Sequence, residues 1–214
     1  MKARDIYEKY KIIPSLQEHM LRVACVSEII MENCTIPLDT QAVIEGALLH
    51  DLGNILKTPL TLENTYLKLG DKDLVYWQSV QDYYKREYGI ESDIATAAIL
   101  EEINVSTSVK DLLHRFEFRY LGEILDASLE KMILKYSDLR VGLKGVLSFE
   151  ERMKDIEVRY GIEDTESKEL AKRLEISIFN FIQIAPEDIT FDFVEKNKEK
   201  FLDFEIRVKQ KDGF

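Results

Sequence analysis

The residues best placed to do chemistry in this chain are its three histidines and two of its aspartates. His50 and Asp51 stand side by side at the end of QAVIEGALLHDLGN, where Val43, Ile44, Ala47 and Leu48 mark a helix that breaks at Gly53. A neutral imidazole nitrogen next to an anionic oxygen suits a hard or borderline divalent ion. His19 falls three residues after Leu16 and four before Val23, so it points into the stripe Leu16, Met20, Val23, Ser27 and Ile30. Asp138 interrupts a further apolar stripe between Leu134 and Val141. A helix-end His-Asp pair taken alone reads as a local hydrogen bond. With His19 and Asp138 facing the same core, the set becomes what a helical bundle needs for a metal site. Two imidazoles and two carboxylates leave coordination positions open for water and substrate.

The elements that must position these residues are helices. Four prolines and nine glycines in 214 residues leave long uninterrupted segments, most with helical periodicity. The first clear helix starts at Pro14-Ser15, where Ser15 and Glu18 have capping-box spacing. Asp39 is placed to cap the helix that ends at His50. One helix is expected over 74–88. Others follow Ser92, Ser106 or Ser108, and a further one runs from Leu125 to Lys144 with Asp138 in it. Ser148 and Glu151 form a second capping box, opening a helix to Tyr160, and another amphipathic helix covers 165–184. Between Phe191 and Val208 two readings are open. Phe191 and Phe193 alternate with Asp192, and Phe204, Ile206 and Val208 alternate with charged residues, as a terminal hairpin would. A helix over 191–204 fits nearly as well. The expected architecture is all-α, with one helical domain over residues 5–145 and a C-terminal helical extension over 146–214 packed on it.

Composition narrows the function classes. Hydrophobic residues make up 45% and charged residues 32%, an ordinary globular balance. No apolar run approaches the roughly 20 residues that span a bilayer, and MKARDIYEKYK has no signal-peptide core. Cys25 and Cys34, nine apart on one helix, imply no disulfide framework. A reducing, cytoplasmic setting without membrane partners is expected. The net charge of −11 disfavours long nucleic acid, which wants a basic face, but permits a small anionic substrate held by a few local cations.

The segments EHMLRVACVSEII around His19, ALLHDLGNILK around His50 and Asp51, and LKYSDLRVG around Asp138 together resemble the HD-domain superfamily of metal-dependent phosphohydrolases. The ordered pattern is H…HD…D, its two histidines 31 positions apart, and the resemblance covers residues 14–145. It implies that His19, His50, Asp51 and Asp138 ligate a divalent metal, with Mn, Co, Mg, Ni, Fe and Zn not distinguished. His114 stands where many relatives carry a further histidine. It reads equally as a satisfied core histidine, so a second metal through His114 stays open. Asn54 stands where two-metal members have lysine, and no histidine lies between His50 and His114, so one ion is expected.

The chemistry implied is attack on phosphorus, with His50 and Asp51 as the catalytic pair. Arg22, Lys57, His114 and Arg140 are the expected substrate contacts. Arg115 and Lys144 are further candidate phosphate clamps, although each such cation is more commonly solvated or ion-paired. The aromatic run from Tyr66 to Tyr88 offers a stacking face for a base, or ordinary packing. The expected substrate is a small phosphoester, a nucleotide by preference. The alternative is a non-catalytic HD module that binds a nucleotide or protein partner in a regulatory role. A homodimer is compatible with either reading.

Overall fold

The computed structural model describes residues 1–160 and 165–209. Residues 161–164 and 210–214, both in the expected extension, lie outside the described residues. The chain runs α1 (Ala3–Lys9), α2 (Pro14–Glu32), α3 (Thr40–Leu49), α4 (Leu74–Tyr88), α5 (Ser92–Ile103), α6 (Thr107–Leu113), α7 (Leu121–Ile124) and α8 (Leu129–Arg140). A two-residue hairpin follows, β1 (Val141–Gly142) and β2 (Gly145–Val146), then α9 (Phe149–Tyr160), α10 (Thr165–Phe179) and α11 (Phe191–Asn197). The fold is all-α, with β1 and β2 its only sheet among the described residues.

The centre of the bundle is α2. Met20, Leu21, Val23, Ala24, Cys25, Val26, Ser27 and Ile30 are all buried, and burial on nearly every side is the mark of a core helix. It packs against α3, α8, α11 and the hairpin, and α3 and α8 also pack on each other. Each fully buried leucine or isoleucine of this junction contributes about 1.5–3 kcal/mol. Gly46 sets how closely α3 approaches α8, because a Cβ there would lie 2.8 Å from Leu134 Cδ2. Gly46 is one turn before His50, and Leu134 is one turn before Asp138.

Several local expectations change. Ile13 is the N-cap of α2 and Pro14 occupies its first turn, so Ser15 is helical and the box with Glu18 does not form. Asp39 does cap α3, accepting from Ala42 N at 3.0 Å. Glu91 replaces Ser92 as the N-cap of α5. Ser106 caps α6 through Val109 N. The helix carrying Asp138 starts at Leu129, capped by Ser128, and stops at Arg140 where the hairpin begins. Ser148 and Glu151 form their box, with Ser148 N donating to Glu151 at 2.8 Å and Glu151 N to Ser148 Oγ at 3.2 Å.

The terminal hairpin over 191–208 is not formed. Over 191–204 the buried positions are Val194, Lys198 and Phe201, spaced as a helix buries them, while Phe191 and Phe193 are exposed; beyond that stretch Ile206 is buried. Thr190 caps Phe193 N at the start of α11, and a 3₁₀ helix over Lys198–Asp203 continues it. Residues beyond pair elsewhere, Glu205 with Lys2 and Val208 with Val105. Arg207 donates to the fully buried Glu45 at 3.0 Å and so ties the tail to α3. Both cysteines are free. No helix among the described residues is long and apolar enough to cross a membrane.

The turn after α3 is held against α5. Gly53 N donates to Thr96 Oγ1 at 2.9 Å, and a Cβ on Gly53 would stand 2.2 Å from the Ser92 carbonyl oxygen. That obstacle is backbone and cannot rotate away. Gly53→Ala is therefore expected to cost about 2–3 kcal/mol through overpacking, lowering the melting temperature by about 4–12 °C for a chain of this size. An unchanged melting temperature by scanning calorimetry would show that the turn carrying Asp51 does not depend on this packing.

Candidate metal centre

Three mutually packed helices deliver the four residues. His19 is in the second turn of α2, His50 is the C-cap of α3, Asp51 follows it, and Asp138 is in the last turn of α8. His19 Nε2 and His50 Nε2 lie 3.3 Å apart. Asp138 Oδ1 is 3.2 Å from His19 Nε2 and 3.6 Å from His50 Nε2. Asp51 reaches both rings, each at 3.6 Å, through different oxygens. The side chains of His19, Asp51 and Asp138 retain 18–19% exposure while that of His50 keeps 2%, so the cluster is open to solvent on one side only.

These separations test whether the group fits a metal ion. Ligand bonds of about 2.0–2.2 Å in octahedral or tetrahedral geometry put neighbouring donor atoms about 2.8–3.6 Å apart. Each carboxylate lies 3.2–3.6 Å from both imidazole nitrogens, which fits one ion shared by the two histidines with either aspartate. Ligand atoms of His19, His50 and Asp51 also lie within 4.8 Å of one another. The donor chemistry agrees. His50 Nδ1 is 2.9 Å from the Ala47 carbonyl and donates to it, which leaves the Nε2 lone pair aimed into the cluster. The residues present fit a divalent cation.

Two further side chains shape the site. Lys135 is buried, and its Nζ donates to Asp138 Oδ2 at 2.8 Å, leaving Oδ1 to face the histidines. Phe116 presents its ring to His50 at 5.8 Å between centroids and lies 4.7 Å from Lys135 Nζ. Burial disfavours ionised Asp138, but the Lys135 charge and hydrogen bonds from His19 and His50 outweigh it and hold the carboxyl well below the usual range. Burial likewise disfavours charged His50. The Asp51 charge, with the bond and charge of Asp138 and the bond to Ala47, overrides it and pushes the imidazole up to about 9.

Sequence reasoning named the four clustered residues but not Lys135 or Phe116. A signal existed for Lys135, which is three residues before Asp138 and so on the same helical face. Nothing in the sequence pointed to Phe116. The expected substrate contacts Arg22, Lys57, His114 and Arg140 make no hydrogen bond or ion pair to the cluster. Arg22 is buried between Glu195 Oε1 at 2.5 Å and Glu18 Oε1 at 2.9 Å. Lys57 pairs with Glu117 at 3.1 Å. His114 is exposed at the C-cap of α6, its carbonyl accepting from Lys131 Nζ. Arg140 is buried and donates to the carbonyls of Leu147 at 2.5 Å and Pro186 at 3.1 Å and to the Tyr136 hydroxyl at 2.8 Å. It thereby joins α8, the hairpin and the turn before α11. Arg115 pairs with Glu123.

A family model described as HD domain matches residues 16–160. Comparison with curated proteins and with solved structures gave no match.

The raised His50 pKa has a direct consequence for loading. The ion competes with a proton on Nε2 at every pH below about 9. Affinity for Mn²⁺, measured by chelator competition, is therefore expected to climb steadily from pH 6 to about 9, by up to about tenfold per unit. A plateau from pH 7 upward would show that His50 is an ordinary imidazole and does not carry the competing proton.

Proposed function

Because the chain belongs to the HD-domain family, a group of metal-dependent phosphohydrolases, we propose that it hydrolyses a small phosphoester, a nucleotide by preference, at the centre formed by His19, His50, Asp51 and Asp138. The observation that supports this most is that two imidazoles and two carboxylates converge where α2, α3 and α8 meet, each carboxylate 3.2–3.6 Å from both ring nitrogens. A divalent ion bound there supplies Lewis acidity toward a phosphoryl oxygen and acidifies water.

The chain's own residues divide the remaining work. His50 is fixed at both ends, by Ala47 and by packing on Phe116, and serves as a rigid donor. Asp138 is pinned by Lys135 and offers one oxygen. Among the described residues Asp51 has no lysine or arginine partner, which leaves it able to orient a water molecule and accept its proton. Lys135 offsets part of the negative charge, so that an anionic phosphoester is not repelled by two bare carboxylates. Arg22 stands about 60° round the helix from His19 and about 4.5 Å along it. The net charge of −11 acts against polyanions, so mononucleotides are the proposed substrates and long nucleic acids are not.

Phosphate release over a nucleotide panel with excess Mn²⁺, Co²⁺ or Mg²⁺ tests the reading. Turnover is expected to vanish with chelator and return with metal. Asp51→Asn should lower kcat by about 10²–10⁴-fold, the usual contribution of a positioned base, and should leave the melting temperature within a few degrees of the parent. A fully metallated protein that releases phosphate from no ester tested would instead fit the regulatory HD module.

A further inference from the structure

A second cluster adjoins His19 and draws on parts of the chain outside the H…HD…D pattern. Glu18 binds three cations, Arg22 at 2.9 Å, Lys198 at 2.9 Å and Lys68. Glu195 of α11 shares two of them, Arg22 and Lys198. Lys68 comes from the 57–73 segment, which crosses from the turn after α3 to α4. There Leu67 and Leu69 pack against the core, while Tyr66, at the end of a turn, and Lys68 are exposed. Lys144, in the turn between β1 and β2, stands 5.9 Å from the centre of the Tyr66 ring. This turn is six residues beyond Asp138, and its hairpin packs on α2 and α11. Four cations, Arg22, Lys68, Lys144 and Lys198, thus gather around two carboxylates, Glu18 and Glu195, the first of which adjoins His19 in sequence, on a chain whose net charge is −11.

The two outermost lysines, Lys68 and Lys144, are exposed. Lys144 has no carboxylate partner among the described residues. Lys68 keeps 60% side-chain exposure but pairs with Glu18, whose side chain is only 17% exposed, so a phosphate reaches Lys68 in competition with that carboxylate. Tyr66 remains 42% exposed although its neighbours Leu67 and Leu69 are tucked in. An exposed aromatic ring with an ammonium group free of any carboxylate beside it, and a second lysine two residues along, suits a molecule with a planar base and a phosphate.

We propose that Tyr66, Lys68 and Lys144 form a receiving rim for a nucleoside phosphate, with the base against Tyr66 and the two lysines on phosphate oxygens that face away from His19 and Asp138. The placement of that phosphate rests on the phosphohydrolase reading; the rim as a binding site does not. Arg22 and Lys198 remain with Glu18 and Glu195 and fix the rim's floor.

The test is equilibrium binding to the full chain with excess Mn²⁺, using two non-hydrolysable probes. One is the phosphonate analogue of adenosine 5′-monophosphate; the other is the corresponding analogue of ribose 5-phosphate, which lacks the base. Tyr66→Ala should weaken the adenosine probe at least about fivefold, as loss of one stacked base does, and leave the ribose probe unchanged. Lys68→Ala and Lys144→Ala should weaken both probes by about threefold or more, as loss of a charged contact does. Lys85→Ala, whose lysine pairs with Asp82 on α4, should alter neither, and all four variants should melt as the parent does. Equal loss of both probes in Tyr66→Ala, or unchanged binding in Lys144→Ala, overturns the rim. If phosphate is released from esters while these variants bind as the parent, the rim alone is wrong. If the rim variants behave as stated and no ester is hydrolysed, the rim stands and the phosphohydrolase reading falls.

Discussion

The constraint that governs this molecule is electrostatic. Two imidazole nitrogens stand 3.3 Å apart where three helices join, and a carboxylate on either side, Asp51 and Asp138, lies 3.2–3.6 Å from both. Taking such groups out of water is costly unless charge balances them. Lys135 supplies one positive charge through Asp138, and the raised basicity of His50 shows how strongly the cluster seeks another. A divalent cation satisfies that demand with the donor spacing already in place. A proton on His50 satisfies it partly, and this is why protons and metal compete for the same nitrogen.

Much of the surrounding structure keeps the cluster from relaxing. Gly46 lets α3 and α8 approach one turn before His50 and Asp138, and Gly53 lets the turn carrying Asp51 lie on α5. Arg207 clamps Glu45, five residues before His50, and Arg140 locks the end of α8 two residues after Asp138. A site built at helix ends needs these ties, because the last turn of a helix frays most easily. The parts of the chain beyond the H…HD…D pattern act in the same way, since α11 and the tail close over α2 and α3.

The fold class and the four converging residues were legible because both are periodic. Each ligand sits on or beside a stripe of one helix, and stripes facing a common core bring their polar interruptions together. The rest depended on partners distant in the chain. Glu18 looked like a capping residue, yet its partners Lys68 and Lys198 are 50 and 180 positions away. Arg140 looked like a phosphate clamp because its buried carbonyl partners come from loops with no pattern to read. The terminal aromatics alternated like strands, and only the buried triad Val194, Lys198 and Phe201 marks the helix that formed. Lys135 could have been read from its three-residue offset to Asp138; Phe116 could not.

The claim that one ion is held by these four side chains is tested most directly by anomalous diffraction from crystals of the Mn²⁺-loaded protein. One peak is expected, within about 2.0–2.6 Å of His19 Nε2, His50 Nε2 and an oxygen each of Asp51 and Asp138, with Asp138 Oδ2 still on Lys135. A peak that excludes Asp138 or His50, or two peaks bridged at the cluster, would contradict a single-ion centre assembled by α2, α3 and α8.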